Sequence, residues 1–130
     1  MTRTAPAPTR SASSIRAVQA TAALSVVVLL WQFVTAGQIL AHHAAEDAHG
    51  AGAIVLHVVG LLLVVATALH ARAGGARWPV VVSAAVFVAG FVQAAVGDAG
   101  NMAAHVPGSL VLTVGTLWVT VWAFQRRPAV

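Results

Sequence analysis

The 130-residue chain has no cysteine, no lysine and no tyrosine, and only three acidic residues. Without cysteine there is no disulfide, no thiolate metal site and no cysteine-held iron–sulfur cluster. Charged residues make up 8% of the chain, where an ordinary soluble domain carries roughly 25%. So few charges do not cover a water-facing surface, and 59% of the residues are hydrophobic. The composition implies an integral membrane protein built as a single domain of helices. All the basic charge is arginine, and seven arginines against three acids leave a net charge of +4. In a soluble protein that balance would point to nucleic acid. Here the arginine positions report topology instead, and no nucleic-acid partner is expected.

Residues 1–16, MTRTAPAPTRSASSIR, are rich in Pro, Ser, Thr and Ala and read as a disordered cytoplasmic tail. Arginines before an apolar run also open a signal peptide, but the run over 17–41 exceeds the roughly 7–15 residues of a signal core. An uncleaved first helix is the better reading. Four spans are expected, over about 17–41, 49–71, 78–96 and 104–124, each near the ~20 residues that a hydrocarbon layer of about 30 Å requires. The second and fourth should begin a turn earlier, in the interface. No period-two alternation suggests a strand barrel. The expected fold is thus all-α: an integral membrane four-helix bundle over 17–127, made of two repeated helix pairs.

All seven arginines, Arg3, Arg10, Arg16, Arg72, Arg77, Arg126 and Arg127, fall on one side of these spans, and Glu46, Asp47 and Asp98 fall on the other. The positive-inside rule then places both termini and the turn at 73–76 in the cytoplasm of a multi-pass cell-membrane protein. Gly37, Gly52, Gly60, Gly90, Gly108 and Gly115 suit close helix approaches, and Gln32, Gln38 and Gln93 suit hydrogen bonds between helices.

The stretch Ala48-His49-Gly50-Ala51-Gly52-Ala53-Ile54-Val55-Leu56 resembles Ala104-His105-Val106-Pro107-Gly108-Ser109-Leu110-Val111-Leu112. Each histidine opens a span. Two helix pairs related by duplication would pack about a pseudo-two-fold along the membrane normal, with His49 and His105 at equal depth near the outer face. Two imidazoles at equal depth on facing helices suit the axial ligation of one iron, and an apolar bundle interior suits a porphyrin. The expected cofactor is heme b; another metal and a purely structural pair are the alternatives. His57 is a secondary candidate, about 12 Å deeper than His49 at 1.5 Å per residue; it could instead hydrogen-bond a neighbouring helix or relay protons. His70 reads as an interfacial residue near helix-end carbonyls. His42 and His43 read as solvated loop residues, or else join Glu46, Asp47 and His49 at a metal. Glu46, three residues before His49, shares its helix face. It could orient the imidazole, meet a heme edge or accept a proton, or simply favour the helix dipole.

Glu46-x-x-His49 opening a second helix, with His105 opening a fourth, resembles one four-helix half of the heme A synthase family. That family has two such halves and oxidises a heme methyl group. The resemblance implies His49 and His105 as axial ligands and Glu46 as the functional carboxylate. It covers residues 17–127, one half rather than two, so it also implies a homodimer for such chemistry. Gly50 stands where the family commonly has arginine. The chain also resembles small four-helix bacterial membrane proteins of unassigned function.

Three kinds of function are therefore in view. The first is a heme protein for electron transfer or heme handling, partnered by the bilayer and by a second copy or a respiratory or heme-handling membrane protein. The second is a non-redox structural or accessory membrane subunit. The third is a metal or proton transporter.

Overall fold

The computed structural model describes residues 10–126, which form four α-helices: α1 (Arg10–His42), α2 (Glu46–Arg72), α3 (Trp78–Asp98) and α4 (Met102–Gln125). All four are long and apolar enough to cross a membrane. Helix α1 begins at Arg10, so residues 10–16, which composition assigns to a disordered tail, extend the first helix. The reason is burial: Ile15 and Val18 are 3% and 0% exposed and belong to the core. The rest of the expected tail, with Arg3, and also Arg127 lie outside the described residues. Helices α2 and α4 start at Glu46 and Met102, three residues before His49 and His105, so both histidines sit in a first helical turn.

Local chemistry sets the helix ends. Helix α2 closes with Gly74 at φ +90°, Gly74 N–H on the Ala71 carbonyl at 3.1 Å and Gly75 N–H on the His70 carbonyl at 3.0 Å. Helix α3 closes the same way: Gly100 has φ +71°, its N–H meets the Gly97 carbonyl at 2.9 Å, and Asn101 N–H meets the Val96 carbonyl at 3.2 Å. Each end is a Schellman motif, whose left-handed residue glycine adopts without a Cβ penalty. Asn101 then caps α4, its side chain accepting from Ala104 N–H at 3.2 Å. The α1–α2 turn lacks glycine and places His43 (φ 52°) and Ala45 (φ 71°) in the left-handed region, at a cost of roughly 1–2 kcal/mol per residue.

Helices adjacent in sequence pack on each other, and α1 closes the ring against α4; between α1 and α3, and between α2 and α4, no α-carbons come within 8 Å. The contiguous core lies at the arginine-bearing end. There Ile15, Val18 and Ala22 of α1 meet Leu63 and Ala66 of α2 and Val119, Trp122 and Ala123 of α4. Trp78 lies across this end, its ring 5.1 Å from Trp118 and 5.4 Å from Trp122. Polar groups reinforce the seams. Gln19 donates to the Ala123 and Arg126 carbonyls at 3.0 and 3.2 Å, and the Thr67 and Ser83 hydroxyls meet at 3.0 Å. Toward the acidic end the packing thins, and from residue 84 to residue 115 no described side chain is buried.

Five of the six glycines expected at close approaches do face a neighbour; around Gly37 there is open space. At Gly115 a Cβ would come within 2.6 Å of Val86 Cγ2. Alanines serve the same purpose at the α1–α4 crossing, where Ala22 and Ala123 are wholly buried. Ala22→Leu should overpack this crossing and destabilise the fold by about 1–3 kcal/mol, read as a lowered denaturation midpoint in detergent.

Candidate functional site

His49 and His105 are both held by the helix that precedes their own. On α1, the Thr35 hydroxyl donates back to the Trp31 carbonyl at 3.0 Å, with the Gln32 carbonyl at 3.1 Å. A back-bonded hydroxyl has one proton and has committed it. Toward His49 Nδ1, at 2.9 Å, Thr35 therefore accepts in the tautomer that carries the proton on Nδ1, and in that tautomer Nε2 keeps its lone pair.

Gln32, one turn away on α1, reaches the backbone of the same histidine. Its amide is oriented by its partners: the oxygen accepts from Ala53 N–H at 2.8 Å, and the nitrogen donates to the His49 carbonyl at 3.0 Å and, in the tautomer with Nδ1 unprotonated, to Nδ1 at 3.2 Å. This approach requires Gly52, where a Cβ would come 2.9 Å from the Gln32 amide and 2.8 Å from the Trp31 ring. Trp31 Nε1 donates to the Ala48 carbonyl at 3.2 Å.

The second half repeats the arrangement with other atoms. His105 Nδ1 donates to the Gln93 carbonyl of α3 at 3.0 Å. A carbonyl only accepts, so Nδ1 is protonated and Nε2 is again free. The Gln93 side chain donates to the His105 carbonyl, so the two residues are joined by reciprocal bonds. Gly108 gives that amide its room, since a Cβ there would overlap it. Gly97 gives the imidazole its room, since a Cβ there would lie 2.8 Å from Nδ1. His49 and His105 are both partly buried and lie within electrostatic reach of each other, on helices whose α-carbons stay more than 8 Å apart.

The remaining candidates lie elsewhere. His57 turns toward α3. Its Nδ1 donates to the Ala53 carbonyl at 2.8 Å, its ring packs on Phe91 and Phe87 with centroids 4.2 and 6.4 Å away, and Nε2 is buried without a partner. His70, which sequence places at an interface, is 7% exposed. It meets Ser14 Oγ at 3.0 Å through Nδ1 and the Trp122 ring at 5.7 Å. Glu46 and Asp47 are exposed and line an open depression with His43, Ala44, Ala45 and Ala48. Glu46 is not the Nδ1 partner of His49; Thr35 is. Among the described residues no three His, Asp or Glu side chains converge as a metal site, so His42, His43, Glu46, Asp47 and His49 do not form one.

The interhelical bonds expected of Gln32 and Gln93 are present, but their common target, the carbonyl of a site histidine, was not anticipated. One signal does exist in the sequence: a glycine stands three residues after each histidine, in His49-Gly50-Ala51-Gly52 and in His105-Val106-Pro107-Gly108. Thr35 carries no such signal.

No family model, no curated protein and no solved structure matches the chain.

His57 Nε2 supplies a direct test of the packing. It lies 3.3 Å from the position of a Cβ on Gly90. Gly90→Ser offers this acceptor a hydroxyl, whereas Gly90→Ala offers only a methyl group. The serine variant should exceed the alanine variant in stability by about 1 kcal/mol, measured by detergent-phase unfolding.

Proposed function

We propose that the protein spans the cell membrane four times, with both termini cytoplasmic, and binds a b-type heme between His49 and His105 near the outer face, for electron transfer or heme handling. One observation carries the reading. Each of these imidazoles commits Nδ1 to a neighbouring helix, so both Nε2 atoms are available to a metal. Iron takes the unprotonated nitrogen of a neutral imidazole, and hydrogen bonding of the opposite nitrogen fixes tautomer and ring orientation while raising ligand basicity. The absence of any buried residue from 84 to 115 favours the same reading, because a flat apolar group needs room at that end. Two protein ligands suffice for a heme, so the absence of a three-residue cluster among the described residues does not oppose it. Bound there, the heme would supply one-electron redox chemistry, with a potential set by axial ligands, hydrogen bonds and burial.

The topology follows from charge: Arg16, Arg72, Arg77 and Arg126 are at the packed end of the bundle, with the acidic residues at the other. Glu46, exposed at the mouth, is suited to meet a heme edge or a proton rather than to orient His49. A second copy or a membrane partner would exchange the electron or the heme. A chemistry like that of heme A synthase would need two copies, since one chain has a single four-helix half.

The protein purified in detergent with heme supplied should show a Soret band and, on reduction, an α band, and both should be lost or shifted in His49→Ala and in His105→Ala. A colourless protein, or unchanged bands in both variants, overturns the reading and leaves a structural or accessory subunit. Acid should release the heme as the ligand nitrogens protonate; full retention well below about pH 4 is incompatible with histidine ligation.

A further inference from the structure

We infer that Gln32 and Gln93 are positioning residues for the histidine pair, forming one duplicated device. In each half a glutamine from the preceding helix donates its amide N–H to the site histidine's own carbonyl and packs against the glycine three residues further on. The inference rests on the heme reading above for its purpose, and on geometry alone for its existence.

The device solves a mechanical problem. Helices α2 and α4 bring no α-carbons within 8 Å of each other, and the ring contact between them, His70 on Trp122, lies at the arginine end, away from the two site histidines. Each helix is set instead by its hairpin partner. The Gln32 amide nitrogen is 3.0 Å from the His49 carbonyl, and its oxygen is 2.8 Å from Ala53 N–H. The side chain thus grips both ends of the helical bond from Ala53 to His49. Gln93 grips His105 at two points, with its side chain on the backbone carbonyl and its own carbonyl on the ring. The glycines are part of the device, because a Cβ at Gly52 or Gly108 would meet the amide. A bond to the histidine's backbone fixes where its Cα stands, and the separate bond to Nδ1 fixes where the ring points. Together they fix each imidazole by its backbone and by its Nδ1. The halves are not copies atom by atom: the ring acceptor is a hydroxyl on α1 in one and a backbone carbonyl on α3 in the other. The shared element is the glutamine, the carbonyl and the glycine.

Gln32→Leu and Gln93→Leu are the test, compared with wild type and with two controls. Gln38 is exposed on α1. Gln19 makes an equivalent bond from side chain to carbonyl between helices, but at the arginine end. Two readouts are needed. In heme-free protein, imidazole ¹⁵N shifts should report the Nδ1–H tautomer at His49 and His105, and each leucine variant should mix tautomers at its own histidine only. In heme-loaded protein, each should weaken heme retention by roughly 10–100-fold, the usual effect of removing an outer partner of a metal ligand. Each should also change the ferric electron-spin-resonance g values. Gln38→Leu should change neither readout, and Gln19→Leu should lower stability with both unchanged.

Wild type that holds heme, with Gln32→Leu and Gln93→Leu unchanged in both readouts, overturns the positioning role while the heme reading stands. A Gln19→Leu spectrum altered as much as theirs also overturns it, by reducing the effect to general loosening. If wild type holds no heme, that reading falls, and the tautomer measurement on the heme-free protein still decides the role of the glutamines.

Discussion

A polar atom carried into an apolar bundle has to find a partner there, and in this protein that requirement decides how the helices sit. Unpaired polar groups in an apolar medium cost several kcal/mol each. Hydrophobic contact gives helices little orientational preference when lipid is as apolar as leucine. The hydrogen bonds that cross between helices are therefore the orienting terms: Gln19 to the end of α4, Thr35 and Gln32 to His49, Gln93 to His105, and Thr67 to Ser83. Most use a side chain on one helix and a backbone carbonyl or a histidine on the next. The threonines that take part also lie within hydrogen-bond reach of carbonyls of their own helix.

These bonds divide the bundle into two regimes. At the arginine end they accompany a true core, with alanines at the α1–α4 crossing and three tryptophans stacked across the opening. Packing and polar pairing reinforce each other there. Toward the acidic end they hold α2 to α1 and α4 to α3, while His57 of α2 packs on Phe91 of α3 between the two hairpins.

What the sequence disclosed follows from the range of each effect. Helix number, helix length and the separation of charges are one-dimensional properties, so they were legible; the four helices fall within a few residues of their expected bounds, apart from the start of α1. That start was misread because Pro, Ser, Thr and Ala around Arg10 look like a tail, whereas Ile15 and Val18 gain enough from burial against α2 and α4 to carry the helix outward. The histidine pair was visible through its local duplication. Its supports were not, since Thr35 and Gln93 become partners only when two helices fold back on each other. Likewise His70 gives no sign in sequence that it will be buried beneath Ser14 and beside Trp122.

The three histidines of α2 show how far helical phase alone would have gone. At 3.6 residues per turn, His57 is rotated by about 80° from His49 and His70 by about 60° in the opposite sense. Helix α2 lies between α1 and α3 in the ring. A histidine facing α1 at position 49 thus implies one turned toward α3 at position 57 and one back on the α1 side at position 70. That is the arrangement found: Thr35 receives the first, Phe87 and Phe91 enclose the second, and Ser14 meets the third. Phase therefore separates His57 from His49 as firmly as depth does. The ring of His57 is closed in by two phenylalanines and by the α3 backbone at Gly90, so its buried lone pair faces neither the gap nor His105. The heme proposed above therefore rests on His49 and His105, each with its Nδ1 met by the preceding helix.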